Sequence, residues 1–168
     1  MTKDSTLTSA RPVPTACASA SSDQTADAPN AESPTSPNKK RSPAPVYELT
    51  VTGRFAAAHS LRNFKGRCES LHGHNWRVEV VVRGSTLDQA GLVMDFGELK
   101  KMMNQALDQL DHKHLNEVPP FDQVNPSSEN IAKYLFETLQ EKLPPGVGMH
   151  SVSAWESEDS KATYYQDG

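Results

Sequence analysis

The sequence predicts an α+β domain of four antiparallel strands with two helices on one face. Three observations carry this expectation. Two stretches alternate apolar and polar residues with a period of two, and two others repeat apolar residues at three- and four-residue steps. Two short β-type runs close the chain, giving the order strand, strand, helix, helix, strand, strand. Such a sheet leaves one face and two edges needing cover, which oligomerisation commonly supplies.

The first strand is YELTVTGRFAAAH, where Tyr47, Leu49 and Val51 alternate with polar neighbours up to about His59. WRVEVVVRG repeats the pattern, with Trp76, Val78, Val80 and Val82 on one face and Arg77, Glu79 and Arg83 on the other. The loop of about a dozen residues between them is long for a hairpin, a length that usually marks function. In MDFGELKKMMNQALDQLDH the period becomes helical: Phe96, Leu99, Met103, Leu107 and Leu110 share a face, and Asp95 stands where an N-cap belongs. The methionines read as core filling. A second helix follows NPSSEN, capped by Ser127 or Ser128, with Ile131, Leu135, Phe136 and Leu139 as its apolar stripe. LPPGVG ends it, and HSVSAWESE and KATYYQ supply the last two strands.

Residues 46–168 account for this pattern, and residues 1–45 do not. The chain has 168 residues, of which hydrophobics are 36% and aromatics 7%, low for a packed chain of this length. The deficit lies in the first 45, which are rich in Ser, Thr, Ala and Pro. They are expected to be a disordered tail, because they cannot bury enough surface to offset their ordering entropy. The tail has no apolar signal core, and Asp4, Asp23, Asp27 and Glu32 argue against a transit peptide. No run is long enough for a membrane span. The basic run from Lys39 to Arg41 is too short to argue for nucleic acid, and residues 46–168 carry 12 basic and 17 acidic residues, which disfavours a phosphate-backbone binder. Two cysteines, one of them Cys17 in the tail, make no disulfide framework, so a reducing cytoplasm is the expected compartment.

The chemistry concentrates in RCESLHGHNW. On a strand, residues two apart point to one face, so His72 and His74 project together. If the first two strands pair as a hairpin, His59 at the end of one lies beside them. Three imidazoles converging from neighbouring strands form a zinc site with an open fourth position, although copper or nickel would also suit the same donors. A second pair, His112 and His114, is expected at the end of a helix, where i and i+2 diverge and a second metal site is disfavoured. His150 has no partner in sequence and reads as a surface residue.

FAAAH, CESLHGHN, MDFGELK, LDHKHLNEVP, NPSSENIA, WES and ATYY, in this order, resemble the 6-pyruvoyl-tetrahydropterin synthase / 6-carboxytetrahydropterin synthase family. The resemblance runs from about Val46 to the C-terminus. It implies a small α+β unit, the tunnelling fold, assembled as hexamers with active sites at subunit interfaces. Carried over by residue, it implies that His59, His72 and His74 hold zinc and that Cys68 is the proton-abstracting thiolate. It further makes Asp111 and His112 the relay partners of Cys68 and Glu156 the anchor of the pterin ring. Ser127 and Ser128 would add hydrogen bonds to that ring. The family usually has Thr in that cap and after the anchoring Glu, where this chain has serines, including Ser157.

Each role has a physical counterpart. A thiol of ordinary pKa, about 8.5, is a poor base at neutral pH unless nearby positive charge lowers it. Asp111 and His112 equally suit a helix C-terminus with a favourable histidine at its dipole. Glu156 falls in register with Val152 and Ala154, a carboxylate on an apolar face. It suits either a rim salt bridge or the two parallel donors of a pterin's amino edge.

The implied substrate is 7,8-dihydroneopterin triphosphate, with Lys65 and Arg67 as candidates to meet its phosphates. The three-residue gap between Cys68 and His72 resembles the bacterial branch that makes 6-carboxytetrahydropterin toward queuosine and other 7-deazaguanines. Formation of 6-pyruvoyl-tetrahydropterin is an alternative. So is cleavage to a hydroxymethyl pterin for folate, for which Glu69 beside Cys68 is the relevant residue. A non-enzymatic zinc- or pterin-binding module is the reading from a different class, and retention of Cys68, His112 and Glu156 together argues against it.

Overall fold

A computed structural model of the chain describes residues 45–166. The expected tail therefore lies almost wholly outside the described residues. Strand β1 spans Tyr47–His59 and β2 His72–Gly84, followed by helix α1 at Phe96–Leu107. A two-residue strand β3, Lys113–His114, precedes α2 at Ser128–Gln140, and β4 (Val147–Trp155) and β5 (Lys161–Tyr165) close the fold. The sheet order is β3-β1-β2-β4-β5. The four long strands are antiparallel neighbours, as the sequence predicts, and α1 and α2 cover one face. The α+β class holds, with a correction: β3 is a fifth strand, parallel to β1 at Ala57 and Ala58.

The period of two decides which side chains meet the helices. Val51, Phe55, Trp76, Val78, Val80, Val82, Val152 and Ala154 point inward and form the core with Leu99, Met103, Leu107, Ile131, Leu135, Phe136 and Leu139. Gly53 lies on this face under α1, where an added Cβ would stand 2.8 Å from Leu107 Cδ1 and from Met103 Cε. Both expected helix caps form. Asp95 accepts from the Gly97 N–H at 2.9 Å, and Ser127 accepts from the Asn130 N–H, so Ser128 is the first residue of α2. Phe96, assigned to the apolar stripe from its spacing, is exposed, since it opens α1 beyond the sheet's cover.

Strand β4 contains one extra residue. Val81 pairs with Ser151 but Val82 pairs with Met149, leaving His150 bulged between them. His150 is accordingly half-buried within a strand rather than a free surface residue. The bulge lets Val147 and Met149 pack on the core although they differ in parity from Val152 and Ala154.

Candidate metal and active site

The inward face of β2 runs Val82, Val80, Val78, Trp76 and then His74 and His72, so the register that builds the core carries two histidines beyond its end. In β1 the same face ends at His59, paired directly with His72. The three rings lie 4.6–5.2 Å apart, centre to centre. Trp76, fully buried, forms the floor of the group. It meets the rings of His59 and His74 edge-on at 5.2 and 5.4 Å and stacks on Phe55 from below.

Backbone carbonyls select the tautomers. His59 Nδ1 lies 2.7 Å from the Pro126 carbonyl, and His72 Nδ1 lies 2.8 Å from the Ser70 carbonyl. An imidazole donating from Nδ1 keeps its Nε2 lone pair for a metal. The Nε2 atoms of His59 and His74 are buried and have no hydrogen-bond partner. Two buried ring nitrogens left without a hydrogen bond are costly unless an ion satisfies them, so these residues fit a resident metal. Burial holds the imidazoles of His59 and His74 below the ordinary value of 6.5. The Pro126 carbonyl opposes this at His59 and the Glu156 carboxylate at His74. The neutral form so favoured is the ligating one.

Glu156 joins the same group. Its parity with Val152 and Ala154 turns it inward just past the end of β4, with Oε1 3.4 Å from His74 Nε2. Ser128 donates to Oε2 at 3.1 Å. His59, His72, His74 and Glu156 each offer one donor atom, all within 4.8 Å of one another, a cluster that could hold a metal ion. The two serines thus divide: Ser128 holds Glu156, whereas the Ser127 hydroxyl caps α2. Ser157 bonds Asp159 in the turn to β5.

Asp111 and His112 sit on the outer edge of β1. Asp111 Oδ1 accepts from the Ala56 N–H at 2.8 Å, while the His112 N–H donates to the Ala56 carbonyl at 2.6 Å. His112 Nδ1 lies 2.7 Å from Asp111 Oδ2. The Ala56 N–H, with help from His112, holds the Asp111 carboxyl below its ordinary pKa. His112 adopts φ of 56°, and the helix has already ended at Leu107, so the expectation that His112 and His114 end a helix is corrected. They diverge because His112 pairs with Asp111 and His114, in β3, with Glu117.

Cys68, a half-exposed free thiol, lies in a 3-10 turn of the β1–β2 loop, Arg67–Glu69. The Leu61 N–H donates to its carbonyl at 2.7 Å. Among the described residues no hydrogen bond joins Cys68 to Asp111 or His112. Lys65, Arg67 and Glu69 are exposed. Three residues invisible to the sequence reading hold this loop. Asn116 pairs with both backbone groups of Ser60, Asn125 with both of Arg62, and the Arg62 guanidinium donates to the carbonyls of Phe121 and Val124. Asparagine and arginine in loops are too common to signal such pairing in advance. A cleft of about 440 Å³ on the neighbouring surface is lined by Ala56–Ala58, Gly73, Asn75, Lys113 and both His74 and His112.

Residues 48–167 match the model of the family described as 6-pyruvoyl tetrahydropterin synthase. The chain belongs to that family. It is 38% identical over 124 residues to 6-pyruvoyl tetrahydrobiopterin synthase from Homo sapiens, covering 66% of this chain and 85% of the relative. It is 39% identical over 115 residues to a putative 6-carboxy-5,6,7,8-tetrahydropterin synthase from Archaeoglobus fulgidus, covering 68% and 91%. Among solved structures, 6-pyruvoyl tetrahydropterin synthase from Caenorhabditis elegans superposes with a TM-score of 0.67 at 31% identity, covering 73% of this chain and 97% of that one. The fold is the family's tunnelling fold. Among the described residues no helix is long and apolar enough to cross a membrane.

Proposed function

We propose that the protein is a zinc-dependent 6-carboxy-5,6,7,8-tetrahydropterin synthase. It would convert 7,8-dihydroneopterin triphosphate and water to 6-carboxytetrahydropterin, acetaldehyde and triphosphate, in the cytoplasm and toward 7-deazaguanines such as queuosine. The observation that carries the reading is the convergence of three imidazoles and the Glu156 carboxylate at the end of one sheet face.

His59, His72 and His74 would hold the zinc, which when bound supplies Lewis-acid polarisation of side-chain oxygens. Glu156, its Oε2 steadied by Ser128, presents a carboxylate to the paired N–H donors of a pterin and fixes the ring's register. Cys68 takes a proton from the side chain, and His112, oriented by Asp111, carries protons to and from it. Asp111 and His112 are built into the β1 edge and Cys68 into the loop beyond it. A relay between them would be completed across a subunit interface, in keeping with a hexamer. Lys65 and Arg67 are exposed beside Cys68, where a phosphate tail could reach them.

The three-residue gap between Cys68 and His72 supports the carboxy product. The similarity to the human relative favours a second reading, 6-pyruvoyl-tetrahydropterin formation. Purified protein given the triphosphate substrate and analysed by mass spectrometry should yield 6-carboxytetrahydropterin and acetaldehyde. Mainly 6-pyruvoyl-tetrahydropterin would move the assignment to that branch. Mainly 6-hydroxymethyl-dihydropterin would move it to side-chain cleavage, with Glu69→Gln then altering the product ratio.

A further inference from the structure

We propose that Asn125 and Asn130 are positioning residues for the metal: together they hold the Pro126 carbonyl against His59, and so fix which nitrogen His59 offers to an ion. This rests on the metal reading of the histidine cluster and is independent of which pterin is made.

His59, 1% exposed, is the only buried member of the donor cluster, so its ring is oriented by protein contacts and not by water. The contact that orients it is the carbonyl of the buried Pro126, 2.7 Å from Nδ1. A carbonyl only accepts, so Nδ1 donates and Nε2 keeps its lone pair. Pro126 has no N–H by which it could itself be anchored. Its carbonyl is placed through its two neighbours, and both are tied to Asn130. Asn130 Nδ2 donates to the Asn125 carbonyl at 2.8 Å, and the Asn130 N–H donates to the Ser127 hydroxyl at 3.4 Å. The first turn of α2 thus grips the chain on either side of Pro126.

Asn125 closes the arrangement from the other side. Its amide pairs with the N–H and the carbonyl of Arg62 at 2.8 and 2.9 Å, as a neighbouring strand would. Arg62 lies three residues beyond His59, and its guanidinium donates to the carbonyls of Phe121 and Val124. The chain that carries the imidazole and the chain that carries its acceptor are therefore fastened together just beyond the contact itself. Without that fastening the carbonyl could drift from Nδ1. A buried N–H left unpaired is costly, and the ring would relieve the cost by turning or by moving its proton to Nε2.

Asn116 supplies an internal comparison. It pairs with both backbone groups of Ser60, at 2.8 and 2.9 Å, and so tethers the same loop one residue from His59. It makes no hydrogen bond to residues 125–130. A role confined to tethering the loop would make Asn116 as important to the metal as Asn125.

The test uses the full-length chain stripped of metal, as wild type, Asn116→Ala, Asn125→Ala, Asn130→Ala and His59→Gln, with circular dichroism to verify folding. Zinc is titrated against a chromophoric chelator, and cobalt(II) is loaded separately for absorption spectra. Asn125→Ala and Asn130→Ala should each weaken zinc binding by roughly tenfold, the low end of what losing an outer-shell partner costs. Both should also shift the cobalt bands, whereas Asn116→Ala should keep the wild-type affinity and bands. Should either alanine variant fail to fold, the serine variant at that position is judged by the same criterion. Unchanged zinc affinity and cobalt bands at positions 125 and 130 would overturn the proposal. So would an Asn116→Ala protein that loses as much affinity as Asn125→Ala, since loop tethering would then be the cause. A wild-type chain that binds no zinc, or His59→Gln binding it as tightly as wild type, would overturn the proposal and the metal reading together.

Discussion

Asp111 and His112, neighbours in the chain, are also hydrogen-bonded to each other, His112 Nδ1 lying 2.7 Å from Asp111 Oδ2. The contact is possible because His112 takes a left-handed φ of 56°, which turns its ring back over the preceding carboxylate. Asp111 is itself fixed to β1 through the Ala56 N–H, so the orientation of His112 is set by the sheet.

Asp111→Asn should therefore impair proton transfer without disturbing the metal. Turnover is expected to fall by roughly a hundredfold, the scale of a general acid–base contribution, while zinc content by atomic emission stays at the wild-type level. Zinc loss equal to that of His72→Ala would instead make Asp111 part of the metal site's support.

Cys68→Ala should separate chemistry from coordination in the same way. The thiol lies in the loop turn, outside the strand register that aims the histidines, and it is not among the clustered donors. Near-full zinc occupancy with turnover reduced by roughly a hundredfold or more is the expected result. A Cys68→Ala protein that has lost its zinc would make the thiol a ligand.

Trp76→Ala should be costly twice over. Removing a fully buried aromatic ring typically destabilises by about 3–5 kcal/mol, and here it also removes the floor under His59 and His74. Denaturant unfolding should report the first loss and zinc titration the second. A destabilised variant with unchanged zinc affinity would show that the backbone alone positions the rings.

Acid should destabilise the metal-free chain in a defined window. His59 and His74 have folded-state pKa values below the ordinary 6.5, so the unfolded chain takes up protons first. Their effect is absent well above pH 6.5, grows as pH falls through the unfolded value, and is complete once pH is below the folded values. Melting temperature of the metal-stripped protein should drop across this range, and His59→Gln should flatten the decline. An unchanged slope in that variant would place the acid sensitivity elsewhere.

Residues 1–45 should be dispensable. Their composition offers no apolar face to dock, so a protein starting at Val46 should retain zinc content and turnover. Loss of assembly on truncation would refute this.

The parts legible in the sequence were those governed by local period. Alternation alone placed His72 and His74 on one face and put Glu156 in phase with Val152 and Ala154. The caps at Asp95 and at Ser127 or Ser128 were visible because a short polar side chain before an apolar-periodic run has few other uses, and the structure assigns the second to Ser127. What escaped depended on distant chain segments meeting. The Pro126 carbonyl reaches His59 from 67 residues away. Lys113 and His114 form β3 only because β1 offers a free edge, and two residues cannot show a period. Glu156 could be assigned to the inward face but not to its partners, since pairing it with His74 and Ser128 requires the register of β4 on β2 and the position of α2.

The bulged His150 has a further meaning once Glu156 is seen beside the clustered histidines. Strand β4 is two half-strands out of phase by one residue, the first anchored by Val147 and Met149 and the second by Val152, Ala154 and Glu156. Excising His150 would leave Val147, Met149, Val152, Ala154 and Glu156 in one unbroken alternation on the inward face, so the site should survive that loss. A one-residue insertion between Ala154 and Glu156, by contrast, would turn Glu156 to the opposite face and disarm the site. The irregularity is thus a phase shifter, and insertions and deletions within β4 should be judged by whether they keep Glu156 in phase with the apolar residues rather than by their distance from the histidines.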